Sequence, residues 1–205
     1  MKAVIVIHPM KQMDRQQRRL RGQQWLYQAV ADCGYPEVTP ETCPVERTET
    51  GKPYFASCPQ IHFSISHSKE YWACAVADQP VGLDLQYHKQ GRLEQIPGRF
   101  FHPQEAAWLE RQTSPEAFFQ IWTAKESYVK WTGQGIDRHF REFCVAEETG
   151  LRDHCEDAWF WRDTIMFDGV DAGADDGAGS ERYSLCLCGG EPWDEVKIVR
   201  YADEE

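Results

Sequence analysis

Three strand-length apolar runs follow one another between residues 61 and 86 with almost no chain between them, which restricts the possible folds severely. Residues 61–66 and 71–77 are separated by a short polar stretch, His67-Ser68-Lys69-Glu70. The third run, 81–86, follows across Asp78-Gln79-Pro80, a tripeptide of turn-forming type. Connections this short predict a meander-like sheet. An earlier β-branched run at 2–7, bounded by Pro9, predicts one more strand.

Helical signals flank that region on both sides. Asp14 is a capping residue for a helix running to about Asp32, with Leu20, Trp25, Leu26, Ala29 and Val30 as its apolar side and Gly34 as its stop. Residues 35–60 are rich in Pro, Thr and Glu and predict loop with short strands at most. A second unit starts near Leu93, where His102-Pro103 opens a helix that holds Glu105, Trp108 and Leu109. Ser114-Pro115-Glu116 opens a longer helix, apolar at Phe118, Phe119, Ile121, Trp122, Tyr128 and Val129 and ended by Gly133. Later strands are expected at 140–145, 158–167, 183–188 and 196–201, with a mobile loop at 168–180. The expected architecture is α+β. Each half, 1–92 and 93–205, is a small sheet with packed helices, and no literal internal repeat is visible.

Charge narrows the function classes. The 205 residues carry a net charge of −11, which argues against a general nucleic-acid binder. Residues 141–205 hold 18 acids and six bases, whereas the first 30 hold six bases against the single Asp14. An anionic ligand would therefore be drawn to the N-terminal half; a solvated helix face is the plainer explanation for that basic cluster. The apolar run at 3–7 is too short for a signal peptide or a membrane span, so a cytoplasmic location is expected. The eight cysteines form no C-x-x-C pair, so buried free thiols are expected rather than zinc ligands; Cys186 and Cys188 should share one sheet face.

Chemistry-bearing residues collect in a few places. Lys52 sits in a rigid Gly-Lys-Pro loop, where it is either a phosphate contact or an exposed turn lysine. Ser64, Ser66, His67 and Ser68 crowd the end of one strand. Adjacent strand residues point to opposite faces, which weighs against a Ser66–His67 nucleophile–base pair. Asp84 lies inside an apolar run and needs a metal, a backbone partner or an arginine. Trp122, Glu126 and Lys130 lie on one side of the long helix, where Glu126 and Lys130 form a simple ion pair unless that side meets the Asp84 strand.

In order, the motifs G-K-P at 51–53, F-S-I-S-H-S at 63–68, V-G-L-D-L at 81–85, R-F-F-H-P-Q-E at 99–105 and W-T-A-K-E-S-Y-V-K at 122–130 resemble the 4′-phosphopantetheinyl transferases of the type that activates surfactin synthetase. The resemblance implies two similar subdomains in a pseudo-twofold arrangement within one monomer. It implies transfer of 4′-phosphopantetheine from coenzyme A to a serine of an acyl or peptidyl carrier protein, with Mg²⁺, releasing 3′,5′-ADP. Lys52, Pro53, Ser66 and His67 would contact coenzyme A, and Arg18 or Arg19 its 3′-phosphate. Asp84 and Glu126 would hold the metal, Glu105 would activate or position the acceptor serine, and Lys130 would face the phosphates. The apolar segment around 85–105, with Lys89, Arg92 and Arg99, would receive the carrier. Many relatives place a carboxylate where this chain has Gln86, which can ligate through its amide oxygen or hold a metal-bound water. Two other classes stay open: a Mg²⁺-dependent phosphohydrolase using Asp84, Glu126 and His67, and a non-catalytic module that binds coenzyme A or a carrier.

Overall fold

The structure, a computed structural model, describes residues 1–89, 93, 95–134, 140–168 and 180–202. The elements run β1 (Lys2–Pro9), α1 (Arg15–Asp32), β2 (Val45–Arg47), β3 (Pro53–Phe55), β4 (His62–Ser68), β5 (Tyr71–Ala77), β6 (Val81–Tyr87), α2 (Gln95–Phe100), α3 (Pro103–Leu109) and α4 (Glu116–Thr132). They continue with β7 (Ala146–Glu147), β8 (Gly150–Leu151), β9 (His154–Cys155), β10 (Ala158–Phe167), β11 (Glu181–Gly189) and β12 (Glu195–Arg200).

Two four-stranded sheets dominate, in the orders β12-β1-β5-β4 and β6-β11-β10-β9. Their facing sides form one core: Ile5, Ile7, Ala73 and Ala75 of the first sheet meet Leu83, Leu85, Leu185 and Leu187 of the second. The outer face of the first sheet is covered by α1, through Trp25, Leu26 and Val30 against Val6, Trp72 and Cys74. The outer face of the second is covered by α4, through Phe119, Ile121, Ala124 and Val129 against Phe160, Cys186 and Cys188. The layers thus run helix, sheet, sheet, helix. Among the described residues, no helix is long and apolar enough to cross a membrane.

Local rules account for most boundaries. Asp14 caps α1 in a capping box with Gln17, each side chain accepting from the other residue's amide at 2.8 Å. Pro103 opens α3 behind the cap residue His102. Gly133 ends α4 in the left-handed region, φ 73°. Leu20 departs from expectation: it is 55% exposed, outside the apolar stripe that faces the sheet.

The meander breaks after its second strand, because β1 and β4 already occupy both edges of β5. β6 instead pairs with β11, so this strand of the 1–92 stretch edges the second sheet, while β12 edges the first, parallel to β1. Residues 140–145 are turn rather than strand, because the Phe140 and Phe143 carbonyls bend in to accept from the Lys125 ammonium. The loop expected at 168–180 and Arg92 fall largely or wholly outside the described residues. Cys186 and Cys188 do share one face of β11, and all eight cysteines are free thiols.

The two sheets meet edge to edge through side chains. Ser64, Ser66 and Ser68 lie on alternate positions of β4, hence on one face. Their hydroxyls accept from the amides of Leu83, Leu85 and Tyr87 on β6, at 2.9, 3.1 and 2.9 Å.

Candidate active site

The site forms where β4, β6 and α4 converge. Gly82 makes the approach of α4 to β6 possible: a Cβ there would lie 1.9 Å from the Ser127 carbonyl oxygen and 2.5 Å from the Trp131 nitrogen. With no side chain in the way, the next turn of α4 brings Lys130 onto Asp84. Lys130 Nζ donates to Asp84 Oδ1 at 2.7 Å, to the Leu83 carbonyl at 2.9 Å and to Ser66 Oγ at 3.0 Å. Ser66 Oγ in turn donates to Asp84 Oδ1 at 2.8 Å.

Asp84 and Glu126 are both buried, at 6% and 7% exposure, so the strand and the helix each contribute one desolvated carboxylate. Burial first, and then the Asp84 charge, push Glu126 up to about 7 against the pull of Lys130. Asp84 Oδ2 is buried and has no hydrogen-bond partner. A buried unsatisfied carboxylate oxygen costs free energy unless something positive meets it. An orphan oxygen beside a carboxyl forced toward neutrality fits a divalent cation, which would relieve both. Among the described residues no third His, Cys, Asp or Glu joins them, a donor set that suits Mg²⁺ with its retained waters and substrate oxygens. Gln86, half-buried, lies on the same strand face as Asp84 and donates from Nε2 to the Tyr87 carbonyl at 3.2 Å.

The opposite face of β4 serves a different purpose. There His67 lines a cavity of about 930 Å³ with Arg15, Arg18, Arg19, Arg47 and Pro53. Arg18 is held in place, donating to the carbonyls of Met13 at 3.0 Å and Lys69 at 3.2 Å. Arg47 enters from β2, on the β2–β3 hairpin, and no sequence signal marks it; its neighbours Glu46 and Thr48 carry no phosphate-binding pattern. Only the hairpin that pairs Arg47 with Pro53 turns it into the cavity wall.

Two expected residues lie elsewhere. Lys52 does not line that cavity; its ammonium, held below its usual range by burial, donates to the Trp131 carbonyl at 2.7 Å near the end of α4. Glu105 is fully buried and both its oxygens are engaged. Oε2 pairs with Lys125 at 2.9 Å and accepts from His102 N at 2.8 Å, while Oε1 accepts from Val145 N at 2.7 Å. Its partners are Lys125 and two amides, not Asp84, Glu126 or Lys130. Lys125 was legible in principle, because it shares a helical stripe with Phe118, Ile121 and Val129 and an ammonium there requires a buried partner.

Residues 80–166, which contain Asp84, Glu105, Glu126 and Lys130, match the family model described as the 4′-phosphopantetheinyl transferase superfamily. The match covers less than half of the chain. Among curated proteins, a 4′-phosphopantetheinyl transferase of Bacillus subtilis is 37% identical over 100 residues, covering 47% of this chain and 44% of that protein. The 4′-phosphopantetheinyl transferase gsp of Aneurinibacillus migulanus is 39% identical over 93 residues, covering 44% and 38%. The 4′-phosphopantetheinyl transferase HetI of Nostoc is 36% identical over 112 residues, covering 50% and 47%. The chain thus aligns with less than half the length of each of these transferases. The cavity arginines Arg15, Arg18, Arg19 and Arg47 lie outside the family-model match.

Proposed function

We propose that the chain moves the 4′-phosphopantetheine group of coenzyme A to a serine hydroxyl of an acyl or peptidyl carrier protein, with Mg²⁺, releasing 3′,5′-ADP. The observation that carries this reading is the meeting of Asp84 and Glu126, with Asp84 Oδ2 left unpartnered. These two carboxylates would hold Mg²⁺, with Gln86 beside them, and the ion would supply charge neutralisation on the pyrophosphate. The serine oxygen bonds to the β-phosphorus, the bond from that phosphorus to the bridging oxygen breaks, and the hydroxyl proton passes to solvent.

The remaining roles belong to the chain's own side chains. The arginines around the cavity, with His67, would bind the 3′-phosphate end of coenzyme A, and Pro53 packs in the same wall. Lys130, fixed by three acceptors beside the carboxylates, would face the phosphates and steady the leaving 3′,5′-ADP. Glu105, which the resemblance assigns to activating or positioning the acceptor serine, has both oxygens engaged, and we assign it instead to holding Lys125 and the start of α3. Lys52 we assign to latching the β2–β3 hairpin to α4. Phe100, 38% exposed with the Arg99 guanidinium 5.1 Å from its ring, offers an apolar and basic contact for an acidic carrier. The two helix-on-sheet layers would be the pseudo-twofold halves of a cytoplasmic monomer.

The test is intact-mass spectrometry of an apo carrier protein incubated with the chain, coenzyme A and Mg²⁺. A gain of one phosphopantetheine unit, lost with EDTA and with Asp84→Ala, is the expected result. Coenzyme A binding without any gain, across acyl and peptidyl carriers, would leave a binding module. Cleavage of coenzyme A without a protein acceptor would make it a phosphohydrolase.

A further inference from the structure

Ser66 differs from the two serines that flank it on its strand face. Ser64 and Ser68 take part in the seam by accepting one amide each from β6. Ser66 accepts the Leu85 amide at 3.1 Å, accepts Lys130 Nζ at 3.0 Å and donates to Asp84 Oδ1 at 2.8 Å. A hydroxyl has one donor and two acceptor positions, and here all three are filled. At 5% exposure, Ser66 has neither the spare donor nor the access to bind a phosphate.

That arrangement makes the two oxygens of Asp84 unlike. Oδ1 receives both the hydroxyl and the ammonium, while Oδ2 receives nothing. One ammonium alone would not achieve this, because a carboxylate can turn about its Cβ–Cγ bond and offer either oxygen to a single donor. A second donor fixed on a paired strand removes that freedom. We infer that Ser66 is a positioning residue: with Lys130 it locks Asp84 by Oδ1 so that Oδ2 is the oxygen presented to the divalent cation. The inference rests on the proposed cation site and adds to it a partner that orients its ligand. Outer partners of this kind typically contribute 10- to 100-fold in metal affinity.

The decisive measurement is Mn²⁺ binding, read by electron paramagnetic resonance on the full chain with and without saturating coenzyme A. It is made on wild type, Ser66→Ala, Ser66→Cys and Ser64→Ala, with a urea unfolding midpoint for each. Ser66→Ala should weaken Mn²⁺ binding by about tenfold or more. Ser64→Ala, which loses a seam contact of the same kind, should bind Mn²⁺ like wild type. Ser66→Cys keeps nearly the same shape with a poor donor, so it should also bind weakly; it carries the test if the alanine variant does not fold. Wild-type affinity in both Ser66 variants, or an equal loss in Ser64→Ala, would overturn the positioning role while leaving the cation site standing. Absence of Mn²⁺ binding by the wild type under both conditions would overturn the cation site itself, and the inference with it.

Discussion

At the scale of single residues, the Glu105–Lys125 pair and Glu126 show how differently buried charge can be used. Glu105 and Lys125 are both wholly buried, and desolvation alone would push the acid up and the amine down. Their contact opposes both shifts, and the Lys125 ammonium also lies 4.1 Å from the centre of the Phe143 ring. Removing one partner strands the other, so Glu105→Ala should cost about 3–5 kcal/mol in urea unfolding. Replacing both, as Glu105→Leu with Lys125→Met, should recover much of that loss. A serine-activating base would behave otherwise: the isosteric Glu105→Gln would lower turnover by ~10²–10⁴-fold out of proportion to any loss of stability.

Glu126 is compensated less, since the pull of Lys130 does not outweigh burial and the Asp84 charge, and the consequence depends on pH. Its carboxyl rises from 4.5 in the unfolded chain to about 7 in the fold, so the folded chain binds more protons between those values. The contribution of Glu126 to stability is therefore greatest below this window and declines as pH rises through it, by at most about 3 kcal/mol. Urea midpoints of wild type and Glu126→Gln, measured without divalent cations, should diverge over that range, the glutamine variant losing less. Mg²⁺ at saturating concentration should reduce the divergence.

At the scale of elements, the approach of α4 to β6 decides whether there is a site at all. Gly82 faces helix backbone, which cannot swing aside as a flexible side chain can. Gly82→Ala should separate Asp84 from Glu126 and Lys130, with loss of several kcal/mol of stability and of carrier modification. Gly98→Ala is the matched control: among the described residues nothing lies within 4 Å of its Cβ position, and in α2 the alanine should be neutral or stabilising by up to about 1 kcal/mol. Thermal melts of the two variants separate these outcomes. The elements themselves were largely legible, since α1, β5 and β10 follow caps, turns and apolar periodicity that act over a few residues. Residues 140–145 were not, because their apolar pattern suits a strand while the need of Lys125 for carbonyl partners, 15 and 18 residues away, turns the backbone inward.

At the scale of the molecule, the two sheets are interlocked by exchange of edge strands. A fragment of residues 1–92 would lack β12, and a fragment of 93–205 would lack β6. Each would expose the core that the sheets share, together with an open strand edge. We expect neither fragment to show a cooperative thermal transition by circular dichroism, whereas the whole chain should show one. Two independent transitions, one per fragment, would mean that the shared core is dispensable.

What the sequence determined by itself was local: the capped helices, the isolated strands, the N-terminal concentration of basic residues, and the ordered motifs that place Asp84, Glu126 and Lys130 in one series. Each of these depends on interactions within a few residues or on the identity of a side chain. The tertiary structure alone decided which strands pair, that Ser66 turns to Asp84 while His67 turns to the arginine-lined cavity, that Arg47 joins that cavity, and that Glu105 is bound to Lys125. Those outcomes depend on contacts between segments far apart in the chain, where packing and the pairing of buried charge choose among local arrangements that the sequence leaves equally open.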